Sequence, residues 1–267
     1  MTSKIKKNLS GLIITAMVLF LAASQAYAHD LWMGLDHYDQ KKGDTAKVFL
    51  HMGHSLPFSD FARPEKMEDF FYLEPTGKKK NFELKKYDPE SFFNEVGVDL
   101  NIREEGTYLV VAAMKPMFVS KTTDGKKRKS KKELTNAISC RHVEFFSKAI
   151  FYAGKPGGSA YNSVLGHAIE MIPQKDPCLL KVGDYLPIKV LFKGKPLARE
   201  LVYATYIGFS TRREYPFTAK TDTDGIVNIQ ITQQGIWWVK IPFKKVREDT
   251  SECDVDQYAT ILTFEVK

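Results

Sequence analysis

The N-terminal segment holds a residue that processing would turn into a metal chelator. A basic segment at residues 4–7 precedes a short apolar run at residues 12–23, and Ala26-Tyr27-Ala28 has small residues at the two positions that a signal peptidase reads. We therefore expect a signal peptide over residues 1–28, removed after Ala28, and a periplasmic or otherwise exported protein. His29 would then carry a free α-amino group beside its imidazole, and the two nitrogens can bind one divalent metal. A cut after Ala26 also fits the sequence and would spoil this chelate.

His51 and His54 are the most closely spaced histidines, in the segment His51-Met52-Gly53-His54. An offset of three on a regular strand puts two side chains on opposite faces. A bulge or turn at Gly53 would bring both imidazoles to one side. Any one of these histidines, taken alone, is more typical of a surface or hydrogen-bonded residue. Convergence with His29 is therefore the condition for a metal site.

Two other histidines are weaker candidates. His142 and Glu144 lie two apart in a predicted strand and would share a face, which suits a pair of nitrogen and oxygen ligands. His37 is less well placed than this pair. The sequence has no nucleophile elbow, no phosphate-binding glycine loop and no zinc-protease pair of histidines, so the common hydrolytic enzymes are not predicted.

The charge pattern does not indicate a nucleic-acid partner. The formal net charge of +7 would fall to +4 on cleavage, because the leader carries three lysines and no acid. Much of the remaining charge lies in Lys126-Lys127-Arg128-Lys129-Ser130-Lys131-Lys132, where no aromatic residues are interleaved. We interpret this run as a solvated, mobile loop. The alternative is an electrostatic patch for acidic lipid headgroups or an acidic partner. No membrane-spanning segment is predicted in the mature chain.

Strands are the elements that must position these residues. The runs at 98–102, 108–114 and 143–152 are rich in β-branched and aromatic residues. The Gly/Pro cluster at 154–158 then suggests a hinge. We predict an all-β protein with two antiparallel β-sandwich domains, residues 29–158 and residues 159–267, the second immunoglobulin-like or prealbumin-like.

Two features of the second domain have structural interpretations. Asp222-Thr223-Asp224-Gly225 is interpreted as a hairpin turn, because an apolar strand follows where a calcium loop would need further ligands. Trp237 and Trp238 alternate in a predicted strand. We expect one ring to fill the core and the other to be partly exposed.

The three cysteines of the mature chain allow one disulfide in an oxidising compartment. Cys178 opens the second domain, and Cys253 lies just before its last predicted strand. A Cys178–Cys253 bridge would staple the two ends of one domain, and we favour it over a pairing that uses Cys140.

Several motifs resemble an exported bacterial family of uncharacterised proteins that are often labelled the periplasmic component of a nickel or cobalt uptake system. The likeness covers nearly the whole mature chain, and its second-domain motifs are typical of many sandwich modules. The quoted motifs are Asp30-Leu31-Trp32, Gly53-His54, Leu165-Gly166-His167-Ala168-Ile169-Glu170-Met171-Ile172-Pro173, Asp176-Pro177, Lys181-Val182-Gly183-Asp184, Gly194-Lys195-Pro196-Leu197, Thr221-Asp222-Thr223-Asp224-Gly225 and Gly235-Ile236-Trp237.

The resemblance implies export and an association with Ni²⁺ or Co²⁺. By the motif match, His29 and His54 are carried over as metal ligands, and His51 is added on proximity alone. We therefore predict a non-enzymatic, periplasmic metal-binding accessory protein for nickel or cobalt uptake, with Cu²⁺ and Zn²⁺ also compatible with nitrogen ligands. A membrane metal permease or another envelope protein would be its partner. The alternatives are a structural or interaction module of the envelope and, third, a copper oxidase with an N-terminal histidine brace.

Overall fold

The computed structural model describes residues 30–53, 59–82, 97–212 and 214–267, which are almost entirely β-strand and connecting turn. Four short 3-10 turns occur, and no α-helix is found in these residues. The all-β prediction is confirmed. The strands are β1 Asp30–Leu35, β2 Asp39–Gln40, β3 Thr45–Gly53, β4 Ser59–Phe61, β5 Met67–Leu73, β6 Lys79–Asn81, β7 Gly97–Asn101, β8 Gly106–Met114, β9 Met117–Thr122, β10 Gly125–Lys127, β11 Ala137–Ala153, β12 Ile169–Pro173, β13 Tyr185–Phe192, β14 Lys195–Pro196, β15 Leu201–Tyr206, β16 Phe217–Lys220, β17 Ile226–Gln230, β18 Gly235–Val246 and β19 Val255–Val266.

The strands form one large central sheet and two small sheets. The central sheet has eleven described strands, in the order β16-β15-β18-β19-β11-β8-β5-β6, with β2 and the β9–β10 hairpin paired beside β11. Strands β1, β3, β4 and β7 form the sheet that we call the N-sheet, and strands β12, β13, β14 and β17 form the C-sheet. The described residues contain no helix with the length and apolar character that crossing a membrane requires.

Alternate side chains of the central sheet face two separate hydrophobic cores. On β8, Leu109 and Val111 pack in the core shared with the C-sheet, whereas Tyr108 and Val110 pack in the core shared with the N-sheet. Every residue of β8 is buried, as expected for a strand covered on both faces. The molecule is therefore layered, with the central sheet between the two small ones. We call its two surfaces the N-sheet face and the C-sheet face.

The two predicted sandwiches share the central sheet instead of having separate sheets. Strand β11, from the first half of the chain, pairs in parallel with β19, from the second half, over the register Arg141↔Val255 to Ala149↔Thr263. The Gly/Pro cluster that suggested a hinge packs closely, since a Cβ on Gly158 would lie 2.3 Å from the carbonyl oxygen of Pro75. The sequence pattern indicated the strands but not this pairing across the halves.

The β11–β19 pairing also explains the disulfide. Cys140 and Cys253 form the bridge, so the predicted Cys178–Cys253 disulfide is wrong. Cys140 lies one residue before Arg141 and Cys253 lies two before Val255, so the parallel register brings both sulfurs to the same end of the sheet. Cys178 is a free thiol, and burial raises its pKa.

The Cys140–Cys253 bridge predicts a specific loss of stability. Replacing both cysteines by serine should lower the free energy of unfolding by about 2–5 kcal/mol, because the bridge closes a long loop in the unfolded chain. Cys178→Ser is the matched control and should cost less. Denaturant unfolding measures both variants. Peptide mapping under non-reducing conditions that links Cys178 to Cys253 would contradict the assignment.

Candidate functional site

His29 and His54 lie outside the described residues. The residues joined to them are described: Asp30 begins β1, Gly53 ends β3, and these two are register partners in the antiparallel β1–β3 pair. The chain therefore leads toward His29 and His54 from directly opposed positions of the N-sheet.

His51 packs against an aromatic ring of the neighbouring strand. His51 is the register partner of Trp32, and the two rings stack with centroids 3.8 Å apart and planes 12° from parallel. The Nε2 edge of the imidazole lies against Gly34, where an added Cβ would be only 3.2 Å away. Burial lowers the pKa of His51 to about 4, so the ring is neutral at physiological pH. This geometry gives His51 a packing role beside the paired strand ends.

Trp238 of β18 packs in one cluster with Trp32, the ring that stacks on His51. It forms a small cluster with Trp32 and Ile261, and the half-buried Tyr215 packs beside it. Trp238 is only 2% exposed, so the expectation of a partly exposed ring is wrong, while Trp237 is fully buried in the C-sheet core as expected. The indole Nε1 of Trp238 is buried and makes no hydrogen bond to the described chain.

A buried ion pair fixes the start of β1 on the central sheet. The Nζ of Lys240, on β18, lies 2.5 Å from Oδ2 of Asp30, and both residues are buried. Two charges of opposite sign share this site because an unpaired buried charge would be strongly unfavourable. Asp30, Trp32, His51, Trp238 and Lys240 together form what we call the N-terminal cluster. It holds the first described residues of the chain in a rigid, largely apolar setting.

His142 and Glu144 do lie together, as their spacing predicted, and Asp256 joins them. The Nδ1 atom of His142 lies 3.7 Å from Glu144 and 3.4 Å from Asp256. Arg247 Nη2 lies 2.7 Å from the same carboxylate oxygen of Asp256. Burial raises the pKa of Glu144. This is a polar network on the C-sheet face. Across the described ranges, no group of three His, Cys, Asp or Glu side chains has the arrangement needed to hold a metal ion.

The motif at Leu165-Gly166-His167-Ala168-Ile169-Glu170 is built around a buried ion pair that the sequence did not predict. Lys148 Nζ lies 2.8 Å from Glu170 Oε1, and both side chains are 2% exposed. The Glu170 carboxylate also accepts hydrogen bonds from the backbone N–H groups of Leu165 and Gly166. This motif therefore holds a loop against β11. The sequence did contain one indication of this ion pair, because Glu170 is an acidic residue inside an otherwise apolar strand.

The other histidines of the described chain have local contacts. His167 stacks on Phe146, with ring centroids 4.8 Å apart, and burial followed by the charge of Lys148 lowers its pKa. His37 is exposed, and its backbone N–H donates to Oδ1 of Asp36.

The Lys148–Glu170 pair predicts a large effect of one substitution. Lys148→Met should lower the free energy of unfolding by about 3–5 kcal/mol, because it leaves the Glu170 carboxylate buried without its counter-charge. Lys47→Met breaks the exposed pair with Asp99 and should cost at most about 1 kcal/mol. Chemical denaturation compares the two. Equal losses of unfolding free energy in the two variants would contradict this prediction, because breaking the buried pair would then cost no more than breaking the exposed one.

The buried imidazole of His51 predicts a pH dependence of stability. Its folded pKa of about 4 lies below the unfolded value near 6.5, so the unfolded chain binds a proton first as the pH falls. The free energy of unfolding should therefore decrease between pH 6.5 and 4, with His51 contributing up to about 3 kcal/mol. His51→Phe should remove this share of the slope, whereas His37→Gln, at an exposed position, should retain it. Urea unfolding in EDTA across this pH range measures the slopes, and identical slopes in wild type and His51→Phe would refute the contribution.

Comparisons with known proteins identify a family but no activity. Among curated proteins, none matches the chain. A crystal structure of Salmonella alpha-2-macroglobulin reacted with methylamine aligns with 90% of this chain and 15% of its own length, at 10% identity and a TM-score of 0.23. Murine CEACAM1b aligns with 90% of this chain and 98% of its own length, at 8% identity and a TM-score of 0.20. At these scores neither likeness carries an argument. A family model described as a domain of unknown function, DUF4198, matches residues 26–245, and the chain belongs to that family.

Proposed function

We propose that the processed protein is an exported accessory protein that captures a divalent transition metal at its N-terminus. The metal is cargo, and the protein does not transform it chemically. The observation that carries this proposal is the register of the N-sheet, in which Asp30 lies opposite Gly53. With cleavage after Ala28, the α-amino group and imidazole of His29 would supply two nitrogens, and His54 would supply a third.

Covalent geometry limits the distance between these ligands. Consecutive Cα atoms are about 3.8 Å apart, and paired Cα atoms in an antiparallel ladder are about 4.5–5.5 Å apart. His29 is one residue from Asp30 and His54 is one residue from Gly53, so these lengths set an upper limit of about 13 Å on the gap between the two ligand residues. Two imidazoles that point toward each other can share one metal across such a gap. The register thus supports a convergence that the sequence alone left open.

The surroundings suit a preorganised site. The Asp30–Lys240 ion pair fixes the residue that follows His29, and the stacked rings of Trp32 and His51 stiffen the two strands. The ligand set that we propose is His29 and His54, and the stacking of His51 on Trp32 gives that imidazole a packing role beside them. A rigid frame lowers the entropy that a ligand residue loses when metal binds.

The donor set indicates a class of metal. Imidazole and amine nitrogens suit Ni²⁺, Co²⁺, Cu²⁺ and Zn²⁺ better than Mg²⁺ or Ca²⁺. Nickel or cobalt uptake is the role that the sequence resemblance favours, with a membrane metal permease or another envelope protein receiving the ion. Both nitrogen types must be deprotonated, so affinity should fall as the pH drops below about 8, where an α-amino group takes up a proton, and further below about 6.5, where imidazole does.

Calorimetry on the processed protein tests the N-terminal site. Mass spectrometry first establishes that the chain starts at His29, and Ni²⁺ and Cu²⁺ are then titrated at neutral pH. One extra alanine before His29 should weaken binding at least about tenfold, because it displaces the amine from the imidazole. His54→Ala should weaken binding by a similar factor, and His37→Ala should leave it unchanged. Equal affinity for Ni²⁺ and Cu²⁺ with and without the extra alanine would contradict the proposal.

A further inference from the structure

We propose that one end of the N-sheet face of the central sheet docks on a membrane surface rich in anionic phospholipid. This end carries a group of cationic side chains from neighbouring strands, which we call the basic face. This inference is independent of the proposed metal site. The basic face comprises Lys121 of β9, Lys126 of β10, Arg141 of β11 and Lys244 of β18.

Strand alternation places these four side chains on one surface. Val119 and Val143 pack with the N-sheet core, so Lys121 and Arg141, each two residues away on the same strand, point to the same side. Lys126 is the register partner of Lys121. On β18, Lys240 reaches Asp30 of the N-sheet, and Lys244 lies four residues further along on that side.

The acidic side chains of these strands at this end lie on the opposite face of the sheet. Glu144 and Asp256 lie on the C-sheet face, in the network with His142 and Arg247. At this end of the described strands, the N-sheet-face positions beside the four basic residues are Ser139, Val255, Gln257 and Val246, none of which is acidic. The guanidinium of Arg141 donates to Gln257 at 3.0 Å, which holds it within this surface.

A like-charge pair lies at the outer edge of the basic face, on β9 and β10. Lys121 and Lys126 are directly opposed in the β9–β10 ladder, and both are exposed. Like charges in this arrangement destabilise a sheet. Neither ammonium group forms an ion pair within the described chain, although Lys131 of the same basic run pairs with Asp254 at 2.6 Å. An anion bound across the two lysines would relieve their repulsion.

The basic run at residues 126–132 contains regular structure, because it begins in β10 and ends in a 3-10 turn. The hydroxyl of Ser120 donates to the backbone oxygen of Lys129, and Ser130 and Glu133 form a capping box. The Cys140–Cys253 bridge ties the adjacent segment to the start of β19. The run that was interpreted as a solvated loop therefore begins in strand β10 and ends in a capped 3-10 turn, and its exposed residues extend the basic face.

The shape of the basic face favours a membrane over a small acidic ligand. Its residues lie across neighbouring strands of a sheet, so they present charge over a broad surface instead of converging on one point. Val246 is 73% exposed beside Lys244, and an apolar side chain among lysines suits the headgroup interface. Clusters of four to eight basic residues are typical of anionic-lipid recognition, with roughly a fivefold gain in binding per residue.

Vesicle co-sedimentation of the processed full chain tests this inference. We expect binding to phosphatidylcholine vesicles that contain phosphatidylglycerol, none to pure phosphatidylcholine, and a loss of binding at high salt. Lys126→Glu should weaken binding at least about tenfold. Its melting temperature should stay equal or rise, since Lys121 then faces an opposite charge. EDTA in all samples separates this result from metal binding at His29.

The control makes the same charge change elsewhere. Lys195→Glu alters an exposed lysine on β14 of the C-sheet and should keep wild-type binding. Equal losses in the two variants would mean that net charge alone acts, and would overturn the assignment to the basic face. Absence of binding to the phosphatidylglycerol vesicles, or binding to polyglutamate without binding to vesicles, would also overturn it.

Discussion

The parallel pairing of β11 with β19 is the constraint on which the rest of the structure depends. It joins strands that are more than a hundred residues apart into one sheet, and that sheet supplies one wall of each hydrophobic core. The same register brings Cys140 beside Cys253. It also places β18, the antiparallel neighbour of β19, where Lys240 can reach Asp30. The N-terminal cluster and the basic face both follow from this one long-range contact.

Each small sheet is tied to the central sheet by one of the buried ion pairs. Lys240 pairs with Asp30 of the N-sheet, and Lys148 pairs with Glu170 of the C-sheet. Such pairs recover little net free energy, because both charges lose their hydration. Their effect is on position: any sliding of a small sheet that separates the partners leaves a charge buried and unpaired. Apolar contacts supply the stability, and the ion pairs restrict where each small sheet can lie.

Local structure was predictable from the sequence, and long-range pairing was not. The turn at Asp222 forms as expected, with its carboxylate accepting from the backbone N–H groups of Asp224 and Ile226. The contact between His142 and Glu144 followed from a period of two. The disulfide was predicted wrongly because the choice among three cysteines depends on which distant strands meet. The burial of Trp238 was missed because its cover comes from Trp32, on a strand some two hundred residues earlier.

The two proposals describe neighbouring parts of one surface. Lys240 anchors the residue that follows His29, and Lys244 belongs to the basic face, so β18 contributes to both on the same side of the sheet. Four residues of strand span about 13 Å. A protein that docked through the basic face would therefore hold its N-terminus close to the lipid headgroups. A metal captured there would be released near the membrane, where an uptake system would receive it. The two sites would then act in sequence, although each can be abolished without the other.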